Sequence, residues 1–132
     1  MKILLDTHIL VWLLVEDRRL SSLDAALILG SDTEILVSSL SIWKIRLKRR
    51  SALRRGRDSD MPLDAREAMA LCERLALRLL TPAPRDFAAV LRTPVPHRDS
   101  FDEMLVLHAQ QLGARLLTED ENLIDHPIAY RP

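Results

Sequence analysis

Four short apolar runs, each separated from the next by helical segments, constrain this fold more than any other feature of the chain. Lys2–Leu5, Glu34–Val37, Arg78–Leu80 and Arg115–Leu117 are too short to be stable helices and are dominated by Leu, Ile and Val. Strands alternating with helices imply an α/β chain with a mainly parallel central sheet covered on both faces, because each parallel crossover lays a helix against the sheet. The first run makes the case most sharply. Ile3, Leu4 and Leu5 offer no polar face at all, and Asp6-Thr7 ends the run abruptly.

Helices are expected between and after these strands. The first covers 9–15, with Thr7 a candidate N-cap and Asp6 a rival for that role; the second starts at Ser21-Ser22, reaches about Leu29 and stops at Gly30. A third begins among the caps Ser38 to Ser41 and runs to about Arg50, leaving 51–62 as a loop or frayed helix end. Leu63-Asp64 leads into a fourth reaching about Leu75. A brief helix over 85–91 precedes the chain-breaking Pro94 and Pro96, and a longer one over 100–112 stops at Gly113. Residues 118–124 read as a loop with a short helix, and Tyr130 lies near a last edge strand. No repeat or linker divides the chain, and 132 residues that are 48% apolar suit one domain, 1–132, with a single core.

Charge and cysteine usage narrow the function classes. Formal net charge is zero, so only the distribution of charge is informative. From Ile42 to Arg57 there are eight bases (Lys44, Arg46, Lys48, Arg49, Arg50, Arg54, Arg55, Arg57) and no acid. From Asp99 to Asp125 there are seven acids (Asp99, Asp102, Glu103, Glu119, Asp120, Glu121, Asp125) and one base, Arg115. Cys72 stands alone, which rules out an internal disulfide and points to a reducing compartment. Asp6 and His8 interrupt the apolar N-terminus, and the longest apolar stretch, Ile9 to Val15, is far short of the roughly 20 residues of a membrane span. A soluble cytoplasmic chain is expected. His8, His97, His108 and His126 lack zinc-like spacing, and neither a nucleophile elbow nor a phosphate-binding glycine loop is present. His97 is placed as a brace for the loop before Asp102.

In parallel sheets, sites form outside the carboxyl ends of the strands. Asp6 directly follows the first strand, Asp120 follows the last after two residues, and Asp102 lies in the first turn of the helix from Ser100. Three carboxylates gathered there repel one another, each pair at about 4 Å costing roughly 4 kcal/mol at an effective dielectric of 20. A cation is therefore expected among them, and Mg²⁺ or Mn²⁺ suits an all-oxygen site for phosphodiester hydrolysis. Each acid also has a structural alternative. Asp6 and Asp120 could cap the helices behind them, and Asp102 could be the N3 partner of an Asp99 N-cap. Ser100 with Glu103 offers another capping box, which makes Glu103 structural. Asp99 reads equally as a cap or as a neighbour of the site. Thr7 could hydrogen-bond water at the site or cap its helix. The basic run could track an RNA backbone or form a solvated helix face, while Trp12, Trp43 and Phe101 are assigned to the core.

Four motifs occur in order: Leu4-Leu5-Asp6-Thr7-His8, Ser41-Ile42-Trp43, His97-Arg98-Asp99-Ser100-Phe101-Asp102 and Leu116-Leu117-Thr118-Glu119-Asp120. Together they resemble the PIN-domain toxins of VapC type over nearly the whole chain. The resemblance implies a three-layer α/β/α sandwich and a Mg²⁺- or Mn²⁺-dependent endoribonuclease. It also implies a homodimeric toxin restrained by a VapB-type antitoxin. Carried over by position, the metal-site acids are Asp6, Asp102 and Asp120, which would hold one or two ions, with Asp99 beside them. The family's fourth acid, a glutamate after the Ser41-Ile42-Trp43 motif, is here Lys44, and Glu103 stands where the family often has arginine.

Lys44 admits three readings: an inactivating change, the mark of a degenerate toxin that still binds its antitoxin, or a residue swung outward to contact phosphate. Antitoxins of this family commonly insert an arginine into the acidic pocket, and Lys44 is expected to imitate that plug from within. The reading favoured here is a nuclease with impaired catalysis. Its rivals are an inactive PIN module that binds an antitoxin and a receiver-like domain with a Mg²⁺-binding acidic pocket.

Overall fold

A computed structural model describes residues 1–96 and 99–132. The strands β1 (Lys2–Leu5), β2 (Glu34–Ser38), β3 (Arg78–Leu80) and β4 (Arg115–Leu117) form one sheet in the order β3-β2-β1-β4, with every pairing parallel. Their bounds match the four apolar runs, apart from Ser38, which extends β2 by one residue. Beyond β4, Leu116 bridges Ala129 in parallel, and Tyr130 N–H donates to the Leu116 carbonyl at 2.8 Å. This closes the exposed edge near the anticipated last strand.

The helices are α1 (Thr7–Leu14), α2 (Ser22–Leu29), α3 (Ser39–Arg54), α4 (Ala65–Arg74), α5 (Pro84–Ala88) and α6 (Ser100–Leu112). The chain's residues alternate across β1: Ile3 and Leu5 join α1, α3 and α4 on one face, while Leu4 joins α6 on the other. Ile3, Leu4 and Leu5 are all fully buried. Period-two alternation with no polar side is what a strand between two helical layers requires, and it makes the three-layer α/β/α arrangement.

Several local outcomes differ from the sequence reading, each for a physical reason. Asp6, not Thr7, caps α1, so the helix begins at Thr7 and not at Ile9. Asp99 caps α6, accepting the N–H groups of Phe101 and Asp102 at 2.9 and 3.2 Å, so the Ser100–Glu103 box does not form and Glu103 is exposed. Helix α3 continues a turn past Arg50, because Ala52 is buried and draws another turn against the core. Residues 118–124 make turns without a helix. Trp43 is not core: it is 53% exposed. Ser41, Ile45 and Ala52 face inward along α3, and Trp43 lies two residues from the first two, on the opposite side. Gly113 ends α6 at φ 66°, a left-handed conformation that costs glycine little.

Buried His108 on α6 reaches across the end of β2, its Nδ1 lying 2.8 Å from Ser38 Oγ. Ser38 in turn caps α3, accepting the Leu40 N–H at 3.1 Å. Burial lowers the His108 pKa, with the Asp86 carboxylate pulling the other way. The unfolded chain therefore takes up a proton below about pH 6.5 that the fold resists, so this part of the stability is present above that pH and lost as pH falls. Urea unfolding between pH 8 and 5 should show a decline that is shallower in His108→Gln. Leu4→Ala, at the centre of the sheet, should lower the unfolding free energy by about 2–5 kcal/mol in the same measurement.

Candidate active site

The carboxyl ends of β1 and β4 lie side by side, and one carboxylate is fastened between them. Asp6 N–H donates to the Leu117 carbonyl at 2.9 Å, extending the β1–β4 ladder one residue past the strands. Its Oδ1 accepts the Thr7 N–H at 2.7 Å and caps α1, and its Oδ2 accepts the Thr118 hydroxyl at 2.6 Å. The cap and functional readings of Asp6 therefore do not compete, since the same side chain caps α1 and stands at the site.

Asp6 is only 4% exposed. Burial raises its pKa most strongly; the Thr118 and Thr7 hydrogen bonds oppose that, and the nearby Asp102 carboxylate raises it further, with His8 lowering it slightly. A carboxyl group so placed is stable neutral or opposite a cation. Asp102 is also 4% exposed, at the third position of α6, where its N–H is held by the Asp99 cap. The fold thus brings Asp6 and Asp102 within electrostatic reach from segments about a hundred residues apart.

Asp120 joins them indirectly. Its N–H donates to Thr118 Oγ at 3.0 Å, and that hydroxyl donates to Asp6, while Asp120 Oδ1 accepts the Asn122 N–H at 2.9 Å. Asp120 is partly exposed, and its carboxylate is engaged in its own turn. Among the described residues no group of three or more histidine, cysteine or acidic side chains stands ready to hold a metal ion. Asp99 is exposed and acts as the α6 cap. The reading of His97 as a brace lies outside the described residues.

Thr7 is buried and donates its hydroxyl to Ser41 Oγ at 2.9 Å, tying α1 to the first turn of α3. That turn leads directly to Lys44. The Lys44 ammonium lies 4.2 Å from the Phe101 ring centroid, a cation–π contact beside Asp102, and it makes no ion pair among the described residues. The expected internal plug is therefore not what the side chain does. An aromatic face, not a carboxylate, receives the charge.

Two participants escaped the sequence reading. Thr118, quoted only as part of a motif, is the hydroxyl bridge between Asp6 and Asp120, and its position right after β4 was the available signal. Phe101, read simply as core, is the seat of Lys44; adjacency to Asp102 in sequence does not reveal which side chain crosses to it from α3.

The PIN domain family model matches residues 3–128. Among solved structures, the chain is similar to one in the crystal structure of VapBC2 from Rickettsia felis bound to a DNA fragment from their promoter. The TM-score is 0.58 at 13% identity, covering 98% of this chain and 96% of that one. No curated protein sequence matches the chain.

Asp6 gives this geometry a thermodynamic signature. Its raised pKa means that ionised Asp6 opposes folding: the penalty appears as pH rises through the usual carboxylate value of 3.8 and grows until the folded-state value is passed. Asparagine keeps the Oδ1 cap and can still bond Thr118. Asp6→Asn should therefore melt at a higher temperature than the parent at pH 7 in EDTA, and the difference should vanish under acid conditions. Circular dichroism melts at both pH values check this.

Proposed function

Because the chain belongs to the PIN-domain family, we propose that it is a metal-dependent endoribonuclease of the toxin type, with catalysis weakened by Lys44. The observation that carries this reading is the pair of buried, electrostatically coupled carboxylates, Asp6 and Asp102, at the sheet's carboxyl edge. The donor set fits a hard divalent cation. All candidate ligands are oxygens, Asp6 and Asp102 are both buried, and Mg²⁺ commonly binds through only one or two carboxylates plus waters and substrate phosphates. No closed protein cage is needed. When bound, Mg²⁺ or Mn²⁺ supplies charge stabilisation at the phosphoryl oxygens and acidifies a water.

The chain's own residues divide the remaining work. Asp6 and Asp102 present oxygens from two fixed elements, a strand end and a helix first turn. Thr118 orients Asp6 and holds the Asp120 backbone beside it, so that one oxygen of the partly exposed Asp120 carboxylate can turn toward the site while the other caps its own turn. Thr7, held by Ser41, sets the approach of α3. Lys44 stands where the family's glutamate would complete the donor set, so an ion there would be held by fewer charges and more weakly.

The same substitution favours a second reading: a PIN module that binds its antitoxin without cleaving RNA. The wider assignment comprises one domain over 1–132, a VapB-type antitoxin partner, a homodimer and a cytoplasmic location. The VapBC2 neighbour supports the antitoxin partner; the single domain, the homodimer and the cytoplasmic location rest on the family resemblance of the motifs. No described helix is long and apolar enough to cross a membrane.

Calorimetry with Mn²⁺ and cleavage of single-stranded RNA, run on the parent and on Lys44→Glu, test the proposal. Lys44→Glu should bind Mn²⁺ about tenfold more tightly or better, corresponding to about 1.4 kcal/mol. It should also cleave faster than a slow but measurable parent. Cleavage by Lys44→Glu alone selects the second reading, and the absence of Mn²⁺ binding and cleavage in both removes the nuclease assignment.

A further inference from the structure

Helices α3 and α4 pack with a groove between their outer faces, and its walls carry far more positive than negative charge. One section, about 420 Å³, is lined by Arg46, Arg49, Arg50, Arg54 and Arg66, with Asp64 as its single acid. The adjoining section, about 580 Å³, continues past Trp43, Arg46, Arg66 and Met69 to Ser39 at the first turn of α3, with Glu73 as its one acid. Arg46, Arg50, Arg54 and Arg66 are exposed and make no ion pair among the described residues. Asp64 is occupied as the cap of α4, paired reciprocally with Glu67. Arg49 alone has a structural task, donating to the carbonyls of Asp58 and Met61.

Arg46, Arg50 and Arg54 follow one another at four-residue spacing, where like charges on a helix repel. They rise along α3 at intervals of about 6 Å, a row of guanidinium groups on one face. At one end of the row stands Trp43, half exposed, with no core to fill. Trp43 precedes Lys44, whose ammonium lies on the neighbour of Asp102. The Ser39–Trp43 end of the groove follows β2 directly, and the Thr7–Ser41 hydrogen bond ties that turn of α3 to α1, so this end lies on the same edge of the sheet as Asp6.

We propose that this groove is the track for single-stranded RNA, with Arg46, Arg50, Arg54 and Arg66 neutralising successive phosphates and Trp43 stacking a base where the strand turns toward Asp6 and Asp102. Four cations without carboxylate partners suit a polyanion, and an exposed indole at the end nearest the carboxylates suits an unpaired base. The apolar contribution of Leu53 and Met69 also fits an acidic amphipathic helix. The row of guanidinium groups, unpaired among the described residues and with an exposed indole at its end, favours RNA, and that end lies on the sheet edge where hydrolysis is proposed. The inference takes from the preceding reading only that the substrate is RNA.

Binding is separable from cleavage when metal is withheld. Fluorescence anisotropy with a labelled single-stranded RNA of about 12 nucleotides, in EDTA across a range of salt, compares the full chain with three variants. The triple variant Arg46→Ala/Arg50→Ala/Arg54→Ala should lose at least tenfold in affinity, and its plot of log affinity against log salt should be shallower by about 2, at roughly 0.7 per phosphate. Trp43→Ala should lose about tenfold and Trp43→Phe should retain most of the affinity. All replaced side chains are exposed, and unchanged circular dichroism confirms that the fold is retained. Unchanged affinity and salt slope in the triple variant overturn the proposal, as does a groove that binds polyglutamate or duplex DNA in preference to the single strand. Groove-dependent binding without Mn²⁺-dependent cleavage leaves this inference standing and removes the nuclease reading; cleavage indifferent to the groove does the reverse.

Discussion

A carboxylate withheld from water at the end of a central strand is the constraint around which the rest of this molecule is arranged. Ionised Asp6 is costly where it lies, and desolvation outweighs the two hydrogen bonds that oppose it. The fold tolerates the cost because Asp6 does three structural jobs at once: it caps α1, extends the β1–β4 ladder and clamps Thr118. Helix start, sheet edge and chemical group are one residue, so the site cannot drift relative to the scaffold.

The second carboxylate is held differently. Asp102 sits where the Asp99 cap fixes the first turn of α6, and α6 packs through Leu105, Val106 and Ala109 onto the face of the sheet that holds Leu4. The opposite face belongs to α1, α3 and α4. Asp6 and Asp102 thus arrive from the two sides of one sheet, each anchored in a separate apolar layer. Lys44 also reaches in from α3, but its partner is the ring of Phe101. A lysine lacks the acceptor oxygen of the acid whose place it takes, and here the ammonium has found an apolar seat whose π face favours positive charge.

Strands and their order of appearance were legible because a strand buried on both faces must be apolar throughout, as β1 is. Helix ends were legible where one residue type dominates the geometry, as at Ser21, Asp64, Gly30 and Gly113. They stayed open where two neighbours compete, Asp6 against Thr7 and Asp99 against Ser100, and the aspartate one residue earlier is the cap both times. Trp43 was misplaced because size and apolarity suggest burial, whereas the helical angle set by Ser41 and Ile45 decides it. The pairing of Asp6 with Asp102 followed from the strand-end rule, but the hydroxyl of Thr118 and the aromatic seat of Lys44 depend on contacts between distant segments. No local pattern carries that information.

The Asp6–Thr118 clamp spans 112 positions of sequence. During synthesis from the N-terminus, at about 5–20 residues per second, β1 emerges about 110 residues ahead of the β4 strand that it pairs with. Asp6 meanwhile remains hydrated, with an ordinary affinity for protons and no neighbour of its own sign. The acidic pocket thus waits for the segment around Leu117 and Thr118, and a nascent chain interrupted before residue 118 lacks it.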